Sequence, residues 1–212
     1  NAVSSLKPQH KQNHIPSYIG LAATAFLKCF NTVEKGLPIK VVDKKHQSVL
    51  LNSSITQDTT EEEKLSNFYQ LKTSSDWDLK FADPCTGHWK EHWFLDGHYA
   101  KVENSEKGMH FSAGKVNRDD SHHSVLWSND SFHGHLKIEY QYTRTDSQVI
   151  NVNILYIQAT GIGTPPYDTD ISKWKHLREI PKMSSYFNNM NALHISYAAF
   201  ETVNDDSQAD YI

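Results

Sequence analysis

The chain predicts an all-β fold, an antiparallel β-sandwich, on three observations. Apolar side chains recur with a period of two in several short runs, the pattern of strands that bury one face. Turn signals separate those runs, Asp96-Gly97 and Asn104-Ser105-Glu106-Lys107 among them. From Trp77 onward the runs are rich in Trp, Tyr, Phe, Val and Ile, residues that fit a pleated, half-buried surface.

Residues 1–30 read as a leader. Tyr18 to Phe30 has the length and small-residue content of a secretory apolar segment, preceded by Lys7 and Lys11, and Leu27-Lys28-Cys29 resembles a lipoprotein cleavage site with Lys28 where a small residue belongs. The same run also fits a short amphipathic helix packed on the domain. Residues 31–75 read as a linker or edge strands: Leu37 to Val42 and Val49 to Leu51 are short and apolar, and Gln57 to Lys64 is an acidic spacer or a first helical turn. Residues 76–212 form the sandwich domain. Within it Trp77–Phe81 and Trp89–Leu95 lead to the Asp96-Gly97 turn, and Tyr99–Glu103 and Gly108–Ala113 form a hairpin.

In Ser121 to Trp127 the alternation puts His123 with Val125 and Trp127, and His122 with Ser124 and Leu126. Leu136, Ile138, Tyr140, Tyr142 and Arg144 share one face of the next run. Ile150, Val152, Ile154, Tyr156 and Gln158 share a face of the one after. Residues 161–181, with Gly161, Gly163, Pro165, Pro166 and Pro181 around a short helix from Asp170 to Arg178, make a connection long enough to be a lid or cleft wall. Tyr167, Asp168 and Trp174 are its ligand-facing candidates. Met190 to Tyr197 closes the series, sending Asn191, Leu193, Ile195 and Tyr197 to one face and His194 and Ser196 to the other.

The net charge of −4 comes without a basic stripe, which argues against nucleic acid as a partner. Two cysteines, Cys29 and Cys85, exclude a disulfide framework and a Cys-rich zinc site, and no stretch is long and apolar enough for a transmembrane helix. His133 and His135 point the same way and would need a third ligand to hold zinc; a structural calcium ion held by loop oxygens is open on this sequence, and no cofactor is indicated.

Arg144 and Gln158 extend apolar stripes, either as solvent-exposed strand ends or as the polar end of a cleft. In a cleft Arg144 would grip a carboxylate or sulfate in a bidentate fork. His123 and His194, with Tyr156 or Tyr197, are the candidates for general base and acid, set against the ordinary alternative of structural histidines in strands. Trp93, with Trp89 and Phe94, is either a sugar-stacking platform or core.

The series Gly87-His-Trp-Lys-Glu-His-Trp-Phe-Leu-Asp-Gly97, Gly108-Met-His-Phe-Ser-Ala-Gly114, His122-His-Ser-Val-Leu-Trp127, Tyr140-Gln-Tyr-Thr-Arg-Thr-Asp146, Ile154-Leu-Tyr-Ile-Gln-Ala-Thr-Gly161 and Asn191-Ala-Leu-His-Ile-Ser-Tyr197 resembles the DUF1961 group of concanavalin A-like jelly-roll proteins of bacterial polysaccharide-degradation loci. The resemblance runs from about Trp77 to the end. With the leader reading of residues 1–30, the expected location is periplasmic, cell-surface or secreted. The resemblance implies a jelly roll and the activity of one branch: dehydration of the non-reducing-end uronic acid of ulvan fragments. On that reading a base takes the C5 proton, an acid protonates the leaving 4-hydroxyl, Arg144 or Gln158 neutralises the carboxylate and Asn191 orients the sugar, with Trp93 and Tyr167 as further substrate contacts. A polysaccharide lyase cleaving a uronic-acid linkage and a non-catalytic glycan-binding module are the rival readings. A glycoside hydrolase would need two carboxylates on the inner faces, where the alternation places none.

Overall fold

A computed structural model describes residues 16–23, 26–28, 39–44, 60–145 and 152–197. The described residues form an antiparallel β-sandwich. One layer is a five-stranded sheet ordered β12-β11-β1-β8-β5, built from Met190–Tyr197, Asn153–Gly161, Tyr18–Ala23, Ser124–Ser128 and Trp93–Asp96. The opposite layer is made by two smaller sheets. One is β10-β2-β7-β6 (Thr143–Arg144, Phe26–Lys28, Gly108–Ser112, Lys101–Ser105) and the other β4-β3-β9 (Trp77–Asp83, Ile39–Lys44, Leu136–Glu139).

The interior is where these layers meet. Ile19, Leu21, Trp93, Leu126 and Leu155 from the five-stranded sheet pack against Ile39, Val41 and Phe81 of one small sheet and Val102, Met109 and Phe111 of the other. Each of these side chains is buried, and each contributes on the order of 1.5–3 kcal/mol by leaving water.

The five-stranded sheet carries a second core on its other face. Tyr18, Val125, Trp127, Ile154, Tyr156 and Ala159 lie beneath a cover formed by residues 161–189, whose Ile171, Trp174 and Tyr186 are buried against them. The cover holds a 3-10 segment, Ile171–Arg178, made of two short turns kinked at Trp174, whose backbone is non-helical, and a short helix that follows it. Asp170 caps the 3-10 helix by accepting from the Ser172 amide at 3.0 Å and ties it to the sheet by accepting from the Tyr18 hydroxyl at 2.8 Å. Gly161 permits the close approach of the cover, since a Cβ there would lie 1.9 Å from the Asp168 carbonyl oxygen. Because β8 is sandwiched between two cores, all five of its residues are buried.

Two sequence expectations change here. The run beginning at Tyr18, read within a leader, contributes β1, which pairs with both β11 and β8 and is the middle strand of the larger sheet. Cys29 and Phe30 lie outside the described residues. The apolar piece at 37–42 contributes β3, which is the central rather than an edge strand of its sheet, and Val49 to Leu51 lies outside the described residues. The acidic run, read as a spacer or a first helical turn, supplies the first turn of a helix, α1 (Glu61–Thr73), begun by a capping box in which Thr60 and Glu63 exchange side-chain and backbone hydrogen bonds. The helix that closes the cover, Met183–Asn189, is α2.

Candidate functional site

At the end of β5 and the start of β8, three connecting segments converge: residues 97–99, 114–123 and 179–181. Gly97 makes the first bend with φ +108°, and a Cβ there would sit 2.5 Å from the His123 carbonyl oxygen and 3.4 Å from Pro181 Cγ. Only glycine fits that junction without strain. The second segment ends in a 3-10 turn, Asp120–His122, capped by Asp119, whose carboxylate accepts from the Ser121 amide at 2.9 Å and hydroxyl at 2.6 Å. Those two bonds hold the exposed Asp119 carboxyl below its ordinary value, the side-chain bond contributing most.

The rim so formed displays His98, Tyr99, His122, His123, Asp120 and Glu179. His98 Nε2 lies 3.6 Å from Glu179 Oε2, and His123 Nδ1 lies 3.7 Å from Asp120 Oδ1. The His122 imidazole is stacked flat on the exposed Tyr99 ring, centroids 4.3 Å apart and planes 9° apart. Gly114 leaves room for that imidazole, because a Cβ would meet His122 Nδ1 at 2.0 Å. The Nδ1 atoms of His122 and His123 are shielded from solvent and have no hydrogen-bond partner among the described residues.

Beneath the rim lies a buried polar cluster. Asp96 Oδ2 accepts from Arg178 Nε at 2.6 Å, Trp127 Nε1 at 2.7 Å and the Tyr186 hydroxyl at 3.1 Å. Arg178 is fully buried, donates from Nη1 to the Ile171 carbonyl at 2.9 Å and lies 4.3 Å over the Trp174 ring. Burial raises the Asp96 carboxyl above its ordinary value, outweighing the opposing pull of Arg178 and the three donors. Burial likewise raises Tyr186 well above the usual phenol value, with Asp96 adding to it.

The sequence-predicted residues do not gather in one pocket. His123 belongs to the rim. His194 is exposed on edge strand β12, beside Tyr156 of β11 (ring centroids 6.4 Å) and Phe187 of the cover (5.3 Å). The order β12-β11-β1-β8 puts three inter-strand steps, about 14 Å, between its strand and β8, and the register sets His194 level with Trp127, four residues along the chain from His123. Arg144 is half-buried in β10, in the opposite layer, so the expected convergence of residues 123, 144 and 194 does not occur.

Other candidates carry structural duties. Tyr156 is buried, its hydroxyl 3.9 Å from Met183 Sδ, and burial pushes it up to about 12. Its phenol therefore faces the cover and not a cleft. Trp93 is core, donating from Nε1 to Asp83 at 2.6 Å, which removes it as a stacking platform. Gln158 sits at a bulge with φ +53° and donates to the Gly134 carbonyl at 2.8 Å, bracing a loop. Tyr167 packs edge-on against buried Trp174 at 5.2 Å, and Asp168 accepts from Lys173 and the Asp170 amide. Asn191 is exposed on the face opposite His194; Tyr197 ends β12, its side chain outside the described residues. Among the described residues no three His, Cys, Asp or Glu side chains are grouped so as to hold a metal ion.

Sequence reasoning missed His98, Tyr99 and Glu179, although the Asp96-Gly97 turn beside His98 was visible. It also separated His122 from His123 by strand alternation, which does not apply because the strand begins only at Ser124. No family model, curated protein or solved structure matches the chain.

Proposed function

We propose that the protein is a carbohydrate-active lyase that removes water from the non-reducing-end uronic acid of acidic oligosaccharides such as ulvan fragments, and that the histidine rim is its site. The observation that carries the reading is the convergence of two carboxylate-paired imidazoles, a third imidazole and an exposed phenol on one set of loops. The resemblance to the DUF1961 group supplies the substrate class.

In this mechanism His123, with Asp120 beside it, takes the C5 proton. The released electron pair forms the C4–C5 double bond, the C4–oxygen bond breaks, and the hydroxyl leaves as water after taking a proton from His98, beside which Glu179 lies. Charge builds on the uronate carboxylate as C5 loses its proton, so a cation beside it lowers the barrier. Lys115 and Arg118, both exposed on the loop that delivers His122 and His123, take that role here in place of Arg144. Tyr99, braced by His122, offers its ring to the apolar face of the sugar.

Incubation with uronate-ended oligosaccharides should produce the ultraviolet absorbance of a conjugated enoate, and His123→Ala should reduce the rate by about 10²–10⁴-fold. The exposed Tyr99 platform also favours a second reading, a glycan-binding module without turnover. Binding that Tyr99→Ala abolishes, with no absorbance change between pH 5 and 9, selects it.

A further inference from the structure

We propose that Asp96 and Arg178 are a positioning pair, buried groups that set the geometry of the rim without touching substrate. The assignment of a catalytic consequence rests on the lyase reading; the geometric consequence does not.

The argument follows the chain outward from the buried pair. Asp96 is the last residue of β5 and is followed directly by Gly97, His98 and Tyr99. Arg178 is the last residue of the 3-10 helix and is followed directly by Glu179. The 2.6 Å contact between Arg178 Nε and Asp96 Oδ2 therefore clamps the roots of the two segments whose next exposed groups, His98 and Glu179, stand 3.6 Å apart. An exposed pair of that kind is worth little by itself and does not hold two loops in register. The clamp below is of another order, since breaking one side of a buried, hydrogen-bonded pair leaves an uncompensated charge.

Two further contacts make the clamp directional. Trp127 Nε1 and the Tyr186 hydroxyl also donate to Asp96 Oδ2, fixing the carboxylate to β8 and to α2. The Arg178 guanidinium is held by the Trp174 ring on one face and by the Ile171 carbonyl at Nη1. β8 in turn starts one residue after His123, whose carbonyl abuts Gly97. All three rim segments are thus referred to one carboxylate oxygen. Replacing a buried ion pair by apolar residues of similar volume is often neutral or stabilising, so what we assign to this pair is direction rather than stability.

The test is the double variant Asp96→Asn with Arg178→Met, which removes both charges together and keeps an amide oxygen for Trp127 and Tyr186, and in parallel Arg178→Lys, which keeps the charge and loses the guanidinium geometry. Backbone relaxation by NMR should show order parameters at residues 97–99 and 179 falling from about 0.85 to below about 0.6 in both variants, with β8 unchanged. With uronate-ended oligosaccharide, kcat per folded molecule should fall about 10²-fold while KM moves less than about threefold. Unchanged rim order parameters in either folded variant overturn the proposal, whatever happens to thermal stability. A parent chain that shows no turnover overturns the lyase reading instead and leaves the relaxation result to decide the positioning role.

Discussion

Arg178→Met is the sharpest single perturbation of the outer-face core. The substitution deletes the charge-assisted bond to Asp96 Oδ2, the donation to the Ile171 carbonyl and the packing of the guanidinium over Trp174. Methionine refills most of the volume, so the cavity cost is small and the loss is electrostatic. A hydrogen bond to a charged group contributes about 1.5–3 kcal/mol and a buried pair stripped of one partner loses about 3–5 kcal/mol, so about 3–5 kcal/mol is expected near pH 7. The pH dependence has a fixed sign. The folded-state value of Asp96 already lies above its ordinary 3.8, so the folded protein holds that proton more tightly than the unfolded chain does. Between those two values stability falls as pH rises. Arg178 opposes the shift, so removing it moves the folded value further up and extends the window toward neutrality. Urea denaturation at pH 7 and pH 5 checks this: the variant should lose more stability at pH 7 than at pH 5. A loss below about 1 kcal/mol at pH 7, or an equal loss at both, would refute the assignment of Asp96 as the buried anion that Arg178 compensates.

Gly20→Ala should cost about 1–3 kcal/mol or more in urea denaturation, because its Cβ would lie 2.3 Å from the Trp127 ring; a neutral result would mean that the ring is not seated on β1. Tyr156→Phe should change stability by less than about 1 kcal/mol and leave turnover intact, since the hydroxyl's contact is Met183 Sδ at 3.9 Å; a large loss of turnover would return Tyr156 to the site. His194→Ala should keep the elimination rate within about threefold, and a loss of about 10²-fold would move the chemistry to the β12 flank. Thr60→Ala should unwind the start of α1, costing about 1 kcal/mol of local stability by amide exchange.

What the sequence made legible was local periodicity. Met190–Tyr197 is a strand over the residues its alternation marks, and the hairpin at 101–112 turns where polar residues interrupt the pattern. Pairing partners were not legible where they are remote. Tyr18 meets Ala159 across the chain, and a strand buried on both faces reads as a continuous apolar run, which is also what a secretory segment looks like. Period two likewise divides residues into two faces without saying what covers each. The face of Trp127 and Tyr156 is apolar as expected, but its partner is the 161–189 cover and not the second sheet, so the open cleft expected there is filled. The rim escaped for a further reason: His98, His122 and Glu179 sit in turns, where no periodicity exists and only the folded chain brings the segments together.

Chemical-shift mapping with a uronate-ended oligosaccharide tests most directly where the protein acts. The account predicts perturbations concentrated at residues 97–99, 114–123 and 179, weakened by His123→Ala and Tyr99→Ala. Perturbations concentrated instead on β11 and β12 around His194, or on β10 around Arg144, would contradict it.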